Sequence, residues 1–115
     1  MADVFRIGNL AVSRGEVKRG AIEAGVDMAG SPRQTPIIVV HGAHDGPRLW
    51  LNGATHGDEP EGPLSIFWAL QQVDPQQLRG TIVAVPAMNV PGFTAGTRGD
   101  PLDTISYDMN RVYPG

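Results

Sequence analysis

Two side chains that could bind a metal ion lie three positions apart in the segment GATHGDEPEG, residues 53–62. They are His56 and Glu59, and a neutral imidazole and a carboxylate are donors that zinc commonly accepts in proteins. Pro60 disfavours helical geometry at the residue before it. We therefore expect both donors to lie in a loop, at the point where a strand ends and a helix begins.

The spacing of His56 and Glu59 also has an interpretation without a metal. His56 would be a turn residue, and Asp58 and Glu59 would be acidic residues near a helix start, where carboxylates stabilise the positive end of the helix dipole. Asp58 would then suit the N-cap of that helix. The spacing alone does not decide between the two interpretations.

The elements around this loop are predicted from hydrophobic periodicity. The short apolar runs within residues 4–26 predict short strands, and the proline-rich segment at residues 30–36 predicts a loop. The β-branched run from 37 begins a hairpin over 37–53, in which D-G is the turn signal. Gly53 and Gly57 are expected to let the following loop turn sharply.

The second half of the chain predicts a helix and one more strand. The helix begins at Glu61 and stops at Asp74-Pro75, and residues 80–89 form a buried strand after this crossover. Residues 90–115 show little periodicity and predict a long loop. Strand, helix and strand with continuous apolar runs predict the α/β class.

Composition narrows the classes of function. The chain has 115 residues and a formal charge of −3, which provides no electrostatic footprint for nucleic acid or an anionic membrane. It has no cysteine, so a metal would be held by His, Asp or Glu. No apolar run approaches the ~20 residues of a membrane span, and a cytoplasmic location is the default expectation.

The segment GATHGDEPEG resembles the zinc-binding signature of the succinylglutamate desuccinylase/aspartoacylase family, a branch of the zinc carboxypeptidase superfamily. That signature reads G-x-H-G-[DN]-E-x-x-G, and this chain has one extra residue between Gly53 and His56. A second segment, DMNRVYPG at 108–115, resembles the family motif D-[LM]-N-R-x-[FY]-P-G. The resemblance covers about residues 20–115. It implies the N-terminal part of a zinc-carboxypeptidase-like mixed sheet flanked by helices.

The resemblance implies a role for each matching residue. His56 and Glu59 would bind Zn²⁺, and Asn110 and Arg111 would bind the carboxylate of the substrate, which a planar guanidinium can hold with two hydrogen bonds. Arg98 would polarise the scissile carbonyl. The alternative for Arg98 is a surface charge in a loop.

Two aspartates would support these residues. Asp108 would orient either the Asn-Arg pair or a zinc-binding histidine, and Asp58 would hold the loop. The implied reaction is zinc-assisted hydrolysis of the amide of an N-acyl amino acid with a free carboxylate, with a glutamate as general base.

The family pattern also has parts that this chain lacks. Its further zinc-binding histidine and its catalytic glutamate lie beyond the Asn-Arg motif, so residues 1–115 are expected to be the N-terminal portion of a catalytic domain, apparently truncated and without its own general base. His41 and His44 are expected to have turn or strand-end roles. The alternative functions are a non-catalytic protein that binds a carboxylate ligand or a partner, and a zinc carboxypeptidase.

Overall fold

The computed structural model describes residues 3–101 and 108–114. The strands in these ranges are β1 (Val4–Ile7), β2 (Leu10–Ser13), β3 (Glu16–Val26), β4 (Pro32–His41), β5 (His44–Asn52) and β6 (Arg79–Val85). The helices are α1 (Glu61–Gln71) and α2 (Val90–Ala95), and a 3-10 turn covers Met109–Arg111.

Four of the strands form a mixed sheet in the order β3-β4-β6-β5. β5 and β6 pair in parallel, whereas β3–β4 and β4–β6 pair antiparallel. β1 and β2 form a separate antiparallel hairpin. A mixed sheet with helices confirms the predicted α/β class.

The central strands are buried on both faces because a different element covers each face. The β1–β2 hairpin packs on one face, where the buried residues are Val12, Ile37, Val39, Val83 and Val85. On the other face, Ile66 of α1 packs against Ile38 and Ala84. The strict alternation of β4 residues between the two faces follows from the pleat of the strand.

The predicted hairpin over 37–53 is wrong, because β6 lies between β4 and β5. The two-residue connection between those strands passes the start of β6, where Gly42 N donates to Gly80 O at 2.8 Å and His44 N donates to Leu78 O at 3.3 Å. β4 from Ile37 to His41 is fully buried. It needs a neighbour on each side, and the equally apolar β6 is that second neighbour.

The predicted loop over 30–36 is also wrong for most of its length, since β4 begins at Pro32. The first half of β4 pairs only with β3, because β6 reaches no further than Ile38. A proline has no N–H to donate, and it is tolerated where one edge of a strand is unpaired. Pro32 and Pro36 therefore fit in this half of β4.

α1 begins at Glu61, as predicted, with Pro60 at the N-cap and Pro63 in the first turn. No side chain caps this end, so the predicted N-cap role of Asp58 is wrong. α1 ends at Gln71, shortly before the predicted stop at Asp74-Pro75. Within the described ranges, no helix has the length and apolar character needed to cross a lipid bilayer.

The prediction of one long loop after Asn89 is wrong, because α2 covers Val90–Ala95. Asn89 caps α2 by accepting a hydrogen bond from Gly92 N at 3.1 Å. Gly96 ends the helix in the left-handed region, with φ of 71°. An Asn cap, a Pro in the first turn and a Gly at the end are helix signals that the sequence does contain.

Candidate active site

The segment between β5 and α1 lies at the carboxyl end of the parallel pair β5–β6, where ligands bind in open α/β sheets. Hydrogen bonds join this segment to the residues that follow β6. Gly53 N donates to Val85 O at 3.1 Å, and Met88 N donates to Gly53 O at 2.9 Å. The two connections after β5 and β6 therefore form one structural unit.

The chain turns at Gly57, as predicted, since Glu59 N donates to His56 O at 3.3 Å, and both Gly53 and Gly57 also allow close backbone approach. A Cβ on Gly53 would lie 2.9 Å from the carbonyl carbon of Gly62, and a Cβ on Gly57 would lie 2.1 Å from that of Gly92. The residue with positive φ in this segment is Ala54, at 47°. Gly57 thus lets the loop pack directly on the start of α2.

The ring of His56 lies between two carboxylates. Its Nδ1 is 2.5 Å from Glu59 Oε2, and its Nε2 is 2.7 Å from Asp108 Oδ1. The His56 side chain is 12% exposed and that of Asp108 is 22% exposed. One ring nitrogen of His56 therefore faces the second predicted metal ligand, and the other is held by Asp108.

The two carboxylates change how the site titrates. The hydrogen bond to Asp108, together with the weaker effect of Glu59, raises the pKa of His56 above its usual 6.5. The hydrogen bond from His56 and that from the Asn110 backbone lower the pKa of Asp108 to about 2. In the absence of metal, the His56–Asp108 contact is thus an ion pair in mildly acidic solution.

Arg98 extends the contact network beyond Asp108. Its Nη2 lies 3.3 Å from Asp108 Oδ2, and its side chain is about half exposed. Its backbone oxygen accepts a hydrogen bond from Gly57 N at 2.9 Å. The structure therefore brings Arg98 to the His56 loop, while its predicted role toward a carbonyl stays a prediction.

The 3-10 turn places Asn110 and Arg111 directly after Asp108. Asp108 caps this turn, since its Oδ1 accepts a hydrogen bond from Asn110 N at 2.9 Å. Asn110 and Arg111 are exposed, and neither side chain has a hydrogen bond to another residue of the described ranges. Asp58 is likewise exposed and without such a bond, so the predicted roles of these three residues stay predictions.

One residue that organises the site was not singled out from the sequence. Asn89 is 5% exposed, and its Nδ2 lies 3.4 Å from both Thr55 O and Arg98 O. Its side chain thus joins the residue before His56, the backbone of Arg98 and the start of α2. The N-cap pattern at 89–92 was the available signal.

His56 and Glu59 match zinc in the chemistry of their donor atoms, but their number is only part of a zinc ligand set. His56 Nδ1 and Glu59 Oε2 face each other, and the bond from His56 Nε2 to Asp108 is the carboxylate contact that metal-binding histidines commonly make. In the part of the chain that the structure describes, no group of three or more His, Cys, Asp or Glu residues could hold a metal. His41 ends β4 and His44 begins β5, which agrees with their predicted strand-end positions.

A family model and a curated relative match this chain. The model of the succinylglutamate desuccinylase/aspartoacylase catalytic domain matches residues 45–115. A curated relative, the N-alpha-acetyl-L-2,4-diaminobutyric acid deacetylase of Halomonas elongata, is 36% identical over 80 residues, which are 70% of this chain and 22% of that protein.

Solved structures show the same fold. The succinylglutamate desuccinylase/aspartoacylase of Rhodobacter sphaeroides superposes with a TM-score of 0.74 at 31% identity, over 86% of this chain and 30% of that one. The product-bound ectoine utilization protein EutE (DoeB) of Ruegeria pomeroyi gives 0.75 at 32% identity, over 93% and 33%. The chain thus spans a third or less of the length of these relatives. It belongs to the succinylglutamate desuccinylase/aspartoacylase family.

Proposed function

We propose that this chain forms part of a zinc-dependent hydrolase that cleaves the amide bond of N-acyl amino acids. The observation that carries the proposal is the ring of His56, which lies between Glu59 and Asp108 at hydrogen-bond distance. The family membership and the deacetylase relative support hydrolysis of a linear amide.

His56 and Glu59 would hold the zinc ion in this proposal. Asp108 would fix the tautomer of His56, because an Nε2–H that donates to Asp108 Oδ1 leaves the Nδ1 lone pair for a metal. Bound zinc would polarise the substrate carbonyl and lower the pKa of a water molecule. In the family pattern, the further ligand and the general base lie outside these residues.

Three other residues would bind the substrate. Arg111 and Asn110 would bind the free carboxylate, since a guanidinium and an amide offer several donors to its oxygens. Arg98 would hold the acyl carbonyl oxygen. Its ion pair with Asp108 would keep its guanidinium close to His56 before substrate arrives.

Zinc binding by this chain tests the metal assignment directly. Isothermal titration calorimetry with zinc should show one weak site in the wild type, because only two donors are present, and His56→Ala and Glu59→Ala should abolish it. His44→Ala is the matched control, because His44 is exposed at the start of β5 and should leave zinc binding unchanged. Equal zinc affinity in His56→Ala and the wild type would contradict the assignment.

Ligand binding tests the substrate class. An N-acetyl amino acid should shift the backbone NMR signals of Asn110 and Arg111, and Arg111→Gln should weaken binding while zinc stays bound. Arg79→Gln is the control, because Arg79 is an exposed arginine at the far end of the sheet. Binding of N-acyl amino acids in preference to peptides supports a deacylase, and the reverse preference would support a carboxypeptidase.

A further inference from the structure

A second cleft lies at the end of the sheet opposite the His56 loop. Its volume is about 270 Å³, and it opens to solvent. Its lining includes Asp3, Phe5, Arg14, His41, Arg48 and Thr81. None of these residues belongs to the candidate active site, so the inference is independent of the proposed function.

The larger cavity of ≈ 420 Å³ lies on the active-site side of the molecule, where Met88, Asn89 and Met109 contribute to its lining. The second cleft, at ≈ 270 Å³, is the smaller of the two and still has ample room for a water molecule or a small ion. What distinguishes it is the polar chemistry of its lining.

Three residues of this cleft lie in one row across the sheet. His41 of β4 and Arg48 of β5 are both register partners of Thr81 in β6. Side chains directly opposite each other in neighbouring strands point to the same face of a sheet. The ring of Phe5 covers this row, with its centroid 6.0 Å from that of His41 and 5.4 Å from Cζ of Arg48.

His41 presents a hydrogen-bonding atom that has no partner in the described residues. Its Nδ1 lies 2.8 Å from Thr81 Oγ1, but its buried Nε2 has no hydrogen bond. Thr81 is also buried, and within the described ranges its hydroxyl has no hydrogen-bond partner other than His41 Nδ1. The Thr81 hydroxyl is therefore the donor in this bond, which leaves the proton of the neutral imidazole on Nε2.

A buried N–H without an acceptor lowers the stability of a fold, so we expect the N–H at His41 Nε2 to have an acceptor in the cleft. The carboxylate of Asp3 is 3.9 Å away, which is too far for a direct hydrogen bond. Arg14 binds both Asp3 and Asp45. The acceptor must therefore come from outside the described residues.

Arg48 supplies a positive charge beside this N–H. It is exposed and has no carboxylate partner in the described ranges, only the ring of Phe5. Three arginines and two aspartates line the cleft, so its charged side chains sum to +1. An acceptor that also carries negative charge is the complement of such a site.

We propose that this cleft binds a small oxyanion, of the carboxylate or phosphate type, between His41 Nε2–H and the guanidinium of Arg48. The anion accepts a hydrogen bond from His41 Nε2–H and pairs with the guanidinium of Arg48, the two groups for which the described ranges offer no acceptor and no carboxylate. Asp3 limits the affinity, because its carboxylate lies beside the same Nε2.

The test uses this chain labelled with ¹⁵N and titrated with sodium phosphate, with sodium acetate and, at matched ionic strength, with sodium chloride. The expected result is a saturable shift of the His41 Nε2 signal with phosphate or acetate, at up to roughly 50 mM anion, and none with chloride. Saturation by acetate alone identifies a carboxylate site, saturation by phosphate alone identifies a phosphoryl site, and saturation by both identifies a site that accepts either oxyanion.

Variants separate a specific site from general charge effects. Arg48→Gln is a surface substitution and should weaken anion binding about tenfold, whereas Asp3→Asn should strengthen it. Arg33→Gln is the control, because Arg33 lies outside this cleft and pairs with Asp100. If no anion gives a saturable shift, or if Arg48→Gln binds as well as the wild type, a water molecule satisfies His41 and the proposal is overturned.

Discussion

His56 Nε2 and Asp108 Oδ1 lie 2.7 Å apart, although 52 positions separate the two residues in the chain. This contact joins the two sequence motifs of the family across the carboxyl end of the β5–β6 pair. Asp108 also binds Arg98 and caps the turn that carries Asn110. Asp108 therefore contacts both the proposed metal ligand His56 and the residues proposed to bind substrate.

The first prediction concerns the pKa of His56. In metal-free protein, its NMR titration midpoint should lie above 6.5, and Asp108→Asn should lower it because the strongest acceptor of the imidazolium proton is removed. The ring signals of exposed His44 provide the internal reference in both proteins. A midpoint that is the same in Asp108→Asn and wild type would contradict the ion pair.

The same pair predicts a pH window of stability. The raised pKa of His56 stabilises the fold below 6.5, and this contribution is lost as the pH rises through the folded pKa. The lowered pKa of Asp108 stabilises the fold above 3.8, and this contribution is lost as the pH falls toward 2. The difference in unfolding free energy between wild type and Asp108→Asn should thus be largest between about pH 4 and 6.5, as measured by urea unfolding across pH.

Gly57→Ala should destabilise the chain more than Gly96→Ala. An added Cβ at Gly57 would meet three backbone atoms within 2.4 Å, whereas at Gly96 it meets open space and only the positive φ of 71° opposes it. We expect a loss of about 3 kcal/mol for Gly57 and about 1 kcal/mol for Gly96. Urea unfolding of the two variants checks the order, and equal losses would show that the loop can move away from α2.

Asn89→Ala should cost about 1–2 kcal/mol, because the cap of α2 is lost and two carbonyl oxygens lose their donor. Asn89→Ser keeps an acceptor for Gly92 N and should recover part of that loss. In both variants, the Gly57 amide should exchange faster with solvent, since its acceptor is the Arg98 carbonyl that Asn89 also binds. Unchanged protection of Gly57 would mean that Asn89 only caps the helix.

Two aliphatic residues of α1, one buried and one exposed, provide a matched pair of substitutions that tests how α1 packs on the sheet. Ile66 is 7% exposed and packs on the sheet, whereas Leu64 is 51% exposed. Ile66→Ala should cost about 3 kcal/mol of unfolding free energy, and Leu64→Ala less than about 1 kcal/mol. Similar losses in urea unfolding would mean that α1 packs on the sheet through a different face.

The sequence predicted the positions of strands and helices better than it predicted which strands pair with each other. The apolar run of β4, the start of α1 at Glu61 and the loop around His56 are local patterns, and the structure confirms them. The pairing of β4 with β6 is not local, and periodicity contains no information on which strand lies beside another. The false hairpin over 37–53 followed from a D-G turn signal that in fact lies inside β5.

In the candidate site too, features set by local sequence could be predicted, whereas features set by tertiary packing could not. His56 and Glu59 could be named from their spacing and the family motif, because their contact is local. The close approach of Gly57 to Gly92 and the bridging role of Asn89 depend on how two loops pack. Only the helix cap at Asn89 had a local signal, and that signal was missed because α2 has only six residues.

The position of β6 between β4 and β5 has a consequence for the order in which the chain can fold during synthesis. β4 and β5 leave the ribosome one after the other, yet neither has its central partner until Arg79–Val85 has emerged. Pairing over such separations requires loop closure before any contact is gained, which slows folding. Until then β4 exposes the apolar edge of Ile37–His41, and chaperones that bind unpaired strands should act on this protein at that stage.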